Sequence, residues 1–383
     1  MLPRLSLLAL LSLAAIAGAC SSDDSDGGTS TGGAGGSTGG SGNTGGSGGA
    51  SGSGGASGGA SGSGGASGGA SGSGGASGGA SGSGGATTDG GVPDKLSATG
   101  LYSDTAKGTL APGVQEYQPK YQLWTDGAAK KRWVYLPAGT KIDTSDMDYW
   151  VYPVGTKLWK EFSRDGVRVE TRLLEKTSAS EWQMMAYHWN TGQTDADAVP
   201  LGVLNASGTQ HDIPSSNDCL TCHGKLKDRA ASFTAIQLSH GLPGVTLTSL
   251  IADGRLTANP SGPFTLPGTA TDQAALGYLH ANCGICHNDT SFVFSLVDMQ
   301  LWLKTGNLAS VKTTDTYLST ANQALTASNP STGQARLVPG DAAKSDLHIR
   351  MNQRGTLNQM PTLGTEVVDA TGLAAVDAWI NSL

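Results

Sequence analysis

Between residues 94 and 215 apolar and polar residues alternate in short runs. "KRWVYL", "DYWVYP", "KLWKEF" and "RVETRLL" are split by Pro-Ala-Gly, Pro-Val-Gly and Arg-Asp-Gly, residues that favour turns. "EWQMMAYHW" alternates too, placing Trp182, Met184, Ala186 and His188 on one face of a strand. The pattern predicts an antiparallel, sandwich-like β domain over 92–215. Six of the eight tryptophans (Trp124, Trp133, Trp150, Trp159, Trp182 and Trp189) fall inside it. Aromatic clusters can form sugar platforms, but buried tryptophan is the commoner use, so these residues are expected in the core.

After residue 215 the period changes. "DQAALGYLHANC", opened by Thr271-Asp272-Gln273, reads as a capped helix. The chain closes on "VVDATGLAAVDAWINSL", where Val368, Leu373, Val376, Ile380 and Leu383 recur close to helical spacing and Asp369 or Thr371 can serve as the cap. "FTAIQLSHGLPGVTLTSLIADGRL" suggests one helix or a helix pair.

The N-terminal region has a different pattern. Arg4, an apolar run from Leu5 to Ile16, and small residues ending at Cys20 have the plan of a signal peptide over 1–19, too short for a permanent span. A small-residue cleavage zone just before a cysteine indicates lipidation of Cys20. The other reading is a plain secretory peptide. From 20 to 91 the chain is rich in Gly, Ser, Ala and Thr, with the unit SGSGGASGGA repeated. A repeat without apolar positions has no core to stack, so it is expected to be a disordered tether. Its r.m.s. reach would be roughly 45 Å. The formal charge of −7 has no basic run, which gives nucleic-acid binding no electrostatic support.

Apart from Cys20, the five cysteines form two copies of one pattern: Cys219-Leu-Thr-Cys222-His223 and Cys283-Gly-Ile-Cys286-His287. C-x-x-C-H is the spacing of c-type haem attachment: two thiols take up the two vinyl groups and the next histidine supplies the proximal iron ligand. A zinc site would place its pairs closer together than Cys222 and Cys283 and needs no histidine after each. A redox dithiol would occur once, in a βαβ setting. Disulfides suit an exported chain but leave the histidines unexplained. Two haem c groups are therefore expected, with Cys219, Cys222, Cys283 and Cys286 as attachment points and His223 and His287 on the irons.

Met360 lies in "RGTLNQMPTLGT", a polar loop where Pro361 opposes helix, and is the candidate distal ligand of the second haem. Met351 is the competitor and suits packing better. For the first haem the candidates are His280 and His240, with His211, His188 and Met351 behind them. The expected organisation is a β-rich domain over 92–215, a first haem c segment over 216–268 and a cytochrome c-like domain with the second haem over 269–383. The expected fold class is an N-terminal antiparallel β domain followed by mainly α cytochrome c-type haem domains.

"YQLWTDGAAKKRWVYLPAGTKI", "WVYPVGTKLWKEFSRDGVRVETRLL", "IPSSNDCLTCHG", "YLHANCGICHN", "LVPGDAAKSDLHIRMNQRG" and "QMPTLGTEVVDATGLAAVDAWI" together resemble the exported di-haem c-type cytochrome family. The cytochrome half is also similar to the portion fused to glucose/sorbosone dehydrogenase-like quinoproteins. The resemblance implies electron transfer, with the six motif residues and Met360 carried over as haem contacts. It implies redox partner proteins, a dehydrogenase as donor and a cytochrome or terminal acceptor downstream, and supplies no substrate. With no catalytic constellation evident, three function classes remain: a membrane-tethered electron carrier, a di-haem enzyme such as a peroxidase using the first haem, and a lectin-like binding protein. Ser21 and Ser22 after Cys20 point to an outer-membrane lipoprotein of the cell envelope, facing the periplasm or the surface.

Overall fold

The computed structural model describes residues 91–326 and 332–383. The signal peptide 1–19, the lipid site Cys20 and all but the end of the tether 20–91 lie outside the described residues. Strands β1 (Tyr102–Asp104) and β2 (Thr109–Leu110) form a two-stranded ribbon. The main sheet has six strands in chain order: β3 (Val114–Glu116), β4 (Ala129–Tyr135), β5 (Lys157–Arg164), β6 (Val167–Lys176), β7 (Trp182–Trp189) and β8 (Ala196–Ala198). All its neighbours pair antiparallel. The tightest connection is the Arg-Asp-Gly turn between β5 and β6. Asp165 and Gly166 both take positive φ, 49° and 80°, the mirror-image turn that matches the twist of hairpin strands. "DYWVYP" does not become a strand. Tyr149, Trp150 and Tyr152 are all buried, and the segment's ladder pairing is an isolated bridge between Val151 and Asp143.

The expected sandwich is not formed, because among the described residues no second large sheet faces the first. One face carries Trp133, Trp159, Leu173, Met185, Tyr187 and Trp189 and packs on Val92, Leu96, Leu101 and Tyr102 from the N-terminal segment. The other carries Val134, Leu158, Leu174, Trp182 and Met184 and packs on Cys219, Phe233, Leu238, Leu247 and Leu250. The chain after the sheet therefore supplies the second layer. Five of the six clustered tryptophans are buried and form core, and Trp124 is half-buried.

The expected mainly α haem domains are also overturned. Among the described residues the helices are α1 (Ser216–His223), α2 (Leu247–Ala252), α3 (Ala270–Asn282), α4 (Phe292–Val297), α5 (Asp315–Thr320), α6 (Asp346–Met351) and α7 (Ala370–Ser382). Only α3 and α7 reach 13 residues, and the antiparallel sheet remains the largest element. Between α1 and α3, Pro243, Pro260, Pro263 and Pro267 stop helices from continuing, so the expected helix pair there reduces to α2. Thr269 caps α3 in a capping box with Asp272, two residues before the expected start, and Asp369 caps α7 through the Gly372 N–H. The two long helices pack together in a core with Leu276, Leu279, Val376, Trp379 and Ile380. A Cβ on Gly372 would lie 2.0 Å from the Tyr278 ring, and one on Gly277 would lie 2.1 Å from Tyr121. Each glycine is the space that a tyrosine fills.

One buried ion pair fastens the second layer to the sheet. Lys176 Nζ, at the end of β6, donates to Asp228 Oδ2 at 2.6 Å, with both side chains at most 8% exposed. Trp182 Nε1 donates to the other oxygen at 2.8 Å, and the Tyr152 N–H donates to Oδ2 at 2.6 Å. Breaking such a pair by removing one partner costs about 3–5 kcal/mol because it leaves a buried charge uncompensated. Asp228→Ala should therefore lose about that much in urea unfolding. Adding Lys176→Met should recover part of it, since the Trp182 and Tyr152 donors remain without an acceptor. Equal losses in the single and double variants would show that charge pairing is not the source of stability.

Candidate functional site

The first motif lies on α1. Ser215 and Asp218 form a capping box at its start, with the Ser215 N–H donating to Asp218 Oδ2 at 3.0 Å and the Asp218 N–H to Ser215 Oγ at 3.2 Å. The helix places Cys219 in the core under β6 and β7 and leaves Cys222 half-buried. His223 ends the helix, and its Nδ1 donates to the Arg229 carbonyl at 2.6 Å. In the neutral ring this leaves Nε2 as the free acceptor. Burial pushes the His223 imidazole down to about 4, so the ring is neutral at physiological pH, the form that ligates metal.

The second motif caps α3. The Cys283 and Gly284 N–H groups both donate to Leu279 O at 2.9 Å. A Cβ on Gly284 would come within 2.6 Å of His280 O and 2.9 Å of Trp302 Cα, so the Gly of this motif is required by close packing. The His287 carbonyl accepts from Leu301 N at 2.8 Å. Its ring is buried, has no partner on Nδ1, and is pushed down to about 4 by burial. Burial also raises the Cys283 thiol to about 12.

The two motifs meet. The Cys222 and Cys286 thiols lie close enough to act on one another's ionisation. Their interaction lowers the Cys222 thiol and raises that of Cys286, and Lys225 and Arg172 further favour the Cys222 thiolate. Thr290 Oγ1, in the loop after the second motif, donates to the Lys225 carbonyl at 3.2 Å. All four thiols are free, and no group of three or more His, Cys, Asp or Glu among the described residues is arranged around one metal position. The arrangement is a pair of C-x-x-C-H units brought near one another, with Cys222 and Cys286 the thiols that interact.

The donor set has the chemistry that two thioether-linked haem groups need: four free thiols in two spaced pairs, each followed by a neutral imidazole, half-buried and oriented by a backbone carbonyl at His223 and buried at His287. Met360 stands half-buried on the loop before α7, at a cis Met360–Pro361 peptide. Its N–H donates to Arg350 O at 3.0 Å, and the Arg350 side chain carries a charge that His287 senses. Met351 is core, as its alternative reading has it.

The histidines considered for the first haem are engaged elsewhere. His240 donates from Nε2 to Gln118 O at 2.7 Å and accepts at Nδ1 from the Leu242 N–H at 3.0 Å. His211 Nε2 is 2.7 Å from Glu170, and His188 Nε2 is 3.0 Å from Ser207 Oγ. His280 accepts from the Leu303 N–H at Nδ1, at 3.1 Å, which puts its proton on Nε2. That nitrogen is buried without a partner beside a small cavity that Trp302 and Thr234 also line. Sequence reasoning missed Arg172 and Lys225 beside the thiols. Arg172 was visible only as a charge on a strand face that otherwise alternates apolar residues.

Burial depresses His280 to about 3, against about 6.5 in an unfolded chain. Between those values the unfolded chain binds a proton that the folded one does not, so stability falls as pH drops through the window. The slope from this residue is at most about 1.4 kcal/mol per pH unit. His280→Gln should therefore flatten the pH dependence of urea unfolding between pH 6.5 and 4 by up to that amount; an unchanged slope would show that His280 is protonated in the fold. Compared with protein families, curated proteins and solved structures, the chain finds a match in none of the three.

Proposed function

We infer that this chain is an electron carrier that attaches two haem c groups at its paired motifs. The observation that carries the reading is the approach of two motifs far apart in sequence: Thr290 Oγ1, after the second, donates to Lys225 O, after the first, at 3.2 Å, and Cys222 and Cys286 act on one another's ionisation. A haem group supplies one-electron redox chemistry at iron when bound. The chain's own residues do the rest. Cys219 and Cys222, and Cys283 and Cys286, supply the thiols. His223, oriented by Arg229 O, and buried His287 offer neutral imidazoles, and Met360 would supply a thioether to the second group. The donor would be a dehydrogenase, for which a separate quinoprotein is the candidate, and the acceptor a cytochrome or terminal enzyme.

A second reading rests on one specific observation: the four histidines weighed for the first haem all make hydrogen bonds elsewhere. A first haem with no sixth protein ligand would suit a di-haem enzyme such as a peroxidase. A high-spin ferric spectrum with peroxide consumption would favour it over the carrier.

The carrier reading expects two haems per chain by pyridine haemochrome and sharp α-bands on dithionite reduction; zero or one per chain would contradict it. Met360→Ala should keep both haems and lower the potential of one, because a thioether ligand raises it. Two unchanged potentials would remove Met360 from the ligand set.

For location, the reading is an exported lipoprotein held at the outer membrane through Cys20. A tether would raise the carrier's effective concentration near membrane-bound partners while leaving its orientation free. No helix among the described residues is long and apolar enough to cross a membrane. Cys20→Ser should move the protein to the soluble fraction with both haems intact, and continued membrane fractionation would refute the anchor.

A further inference from the structure

On the sheet face that looks toward the first motif, three basic side chains stand directly opposite one another across three strands, and burial beside Arg132 and Arg172 pushes the Lys160 amine well below the usual lysine range. Arg132 on β4 pairs in register with Lys160 on β5, which pairs with Arg172 on β6. Directly opposed residues share a face, and like charges in that relation are destabilising. Arg132 is 3% exposed, and its Nε is buried without a hydrogen-bond partner. Among the described residues no carboxylate forms an ion pair with Arg132 or Lys160. The nearby carboxylate, Glu170, is already held by Arg172 at 2.9 Å and by His211 at 2.7 Å. Part of the row rests on an aromatic floor: Lys160 Nζ lies 4.6 Å and the Arg172 guanidinium 4.4 Å from the centroid of the buried Phe162 ring, which offsets only a share of the repulsion. Lys160 and Arg172 lie close enough to His223 to act on its charge, and Arg172 does the same for Cys219 and Cys222.

A buried guanidinium Nε without an acceptor and a row of opposed basic groups, whose middle amine is pushed toward its neutral form, cost stability unless an anion completes them. We propose that Arg132, Lys160 and Arg172 form a carboxylate-binding site beside the first C-x-x-C-H motif. Guanidinium forks suit carboxylates in two-point contacts, and Lys160 between them adds a third donor. The carboxylates have two possible sources. One is the pair of carboxylates on a porphyrin attached at Cys219 and Cys222, which rests on the two-haem reading. The other is a free small dicarboxylate, which does not.

The test uses the full chain as exported, with succinate as the probe. In calorimetric titration, succinate should bind the Cys219→Ser/Cys222→Ser chain, and Arg132→Gln with Lys160→Gln should weaken binding about tenfold or more. Arg132→Lys with Lys160→Arg should restore it, and Lys131→Gln, one position along on the other face, should leave it unchanged. If the chain with both motifs intact also binds succinate, the source is a free dicarboxylate. If it does not, and Arg132→Gln lowers the potential of one haem, the source is the porphyrin. Lys160→Met should raise the melting temperature of the ligand-free chain, which a purely structural lysine would not do. The proposal is overturned if succinate binds neither protein and Arg132→Gln leaves both potentials unchanged, or if Lys160→Met lowers the melting temperature. A chain that carries no haem but binds succinate through these residues would end the two-haem reading and leave the site standing.

Discussion

The structure depends on the buried charge pair between Lys176 and Asp228. A lone ammonium or carboxylate in that position would be several kcal/mol out of balance, so the sheet and the segment after α1 must dock with both groups in register. Asp228 takes donors from the last residue of β6, from the Trp182 indole on β7 and from the Tyr152 backbone. The neighbouring Arg229 carbonyl orients His223. The contact that closes the fold thus also sets the ring of the first motif. The second motif follows from it, since its loop docks on Lys225 through Thr290.

The two faces of the sheet serve different ends. The face over the N-terminal segment is lined by tryptophan, leucine and tyrosine and acts as core. The opposite face changes character along its strands. Toward Leu158, Leu174 and Trp182 it is apolar and packs the second layer, whereas at Arg132, Lys160 and Arg172 it becomes basic where α1 presents its motif. A stability-driven sequence would fill such a row with apolar residues. Retaining basic groups there, with Phe162 beneath, is the local inconsistency that marks a functional site.

Much of the sheet was legible because its information is local. Alternation placed β4 to β7, and Arg-Asp-Gly announced the hairpin that Asp165 and Gly166 form with positive φ. Asp369 was readable as a cap because a cap needs only its own turn. The sandwich expectation failed because alternation says that a face is buried without saying what covers it, and here loops and short helices do. The mainly α expectation failed for a related reason: two helix-like stretches were extended in thought across prolines and Thr- and Ser-rich segments that cannot continue them. The motif residues were legible from spacing alone. Their convergence was not, because the approach of Cys222 to Cys286 depends on Asp228, Thr290 and Gly284, none of which has a signature in one sequence.

The central claim is that the two motifs form one paired redox site. Electron paramagnetic resonance of the fully oxidised protein tests it most directly, set beside the Cys219→Ser/Cys222→Ser and Cys283→Ser/Cys286→Ser variants. The account predicts a wild-type spectrum broadened by magnetic coupling between two ferric haems, which the sum of the two variants' spectra does not reproduce. A wild-type spectrum equal to that sum, or one without haem signals, would contradict it.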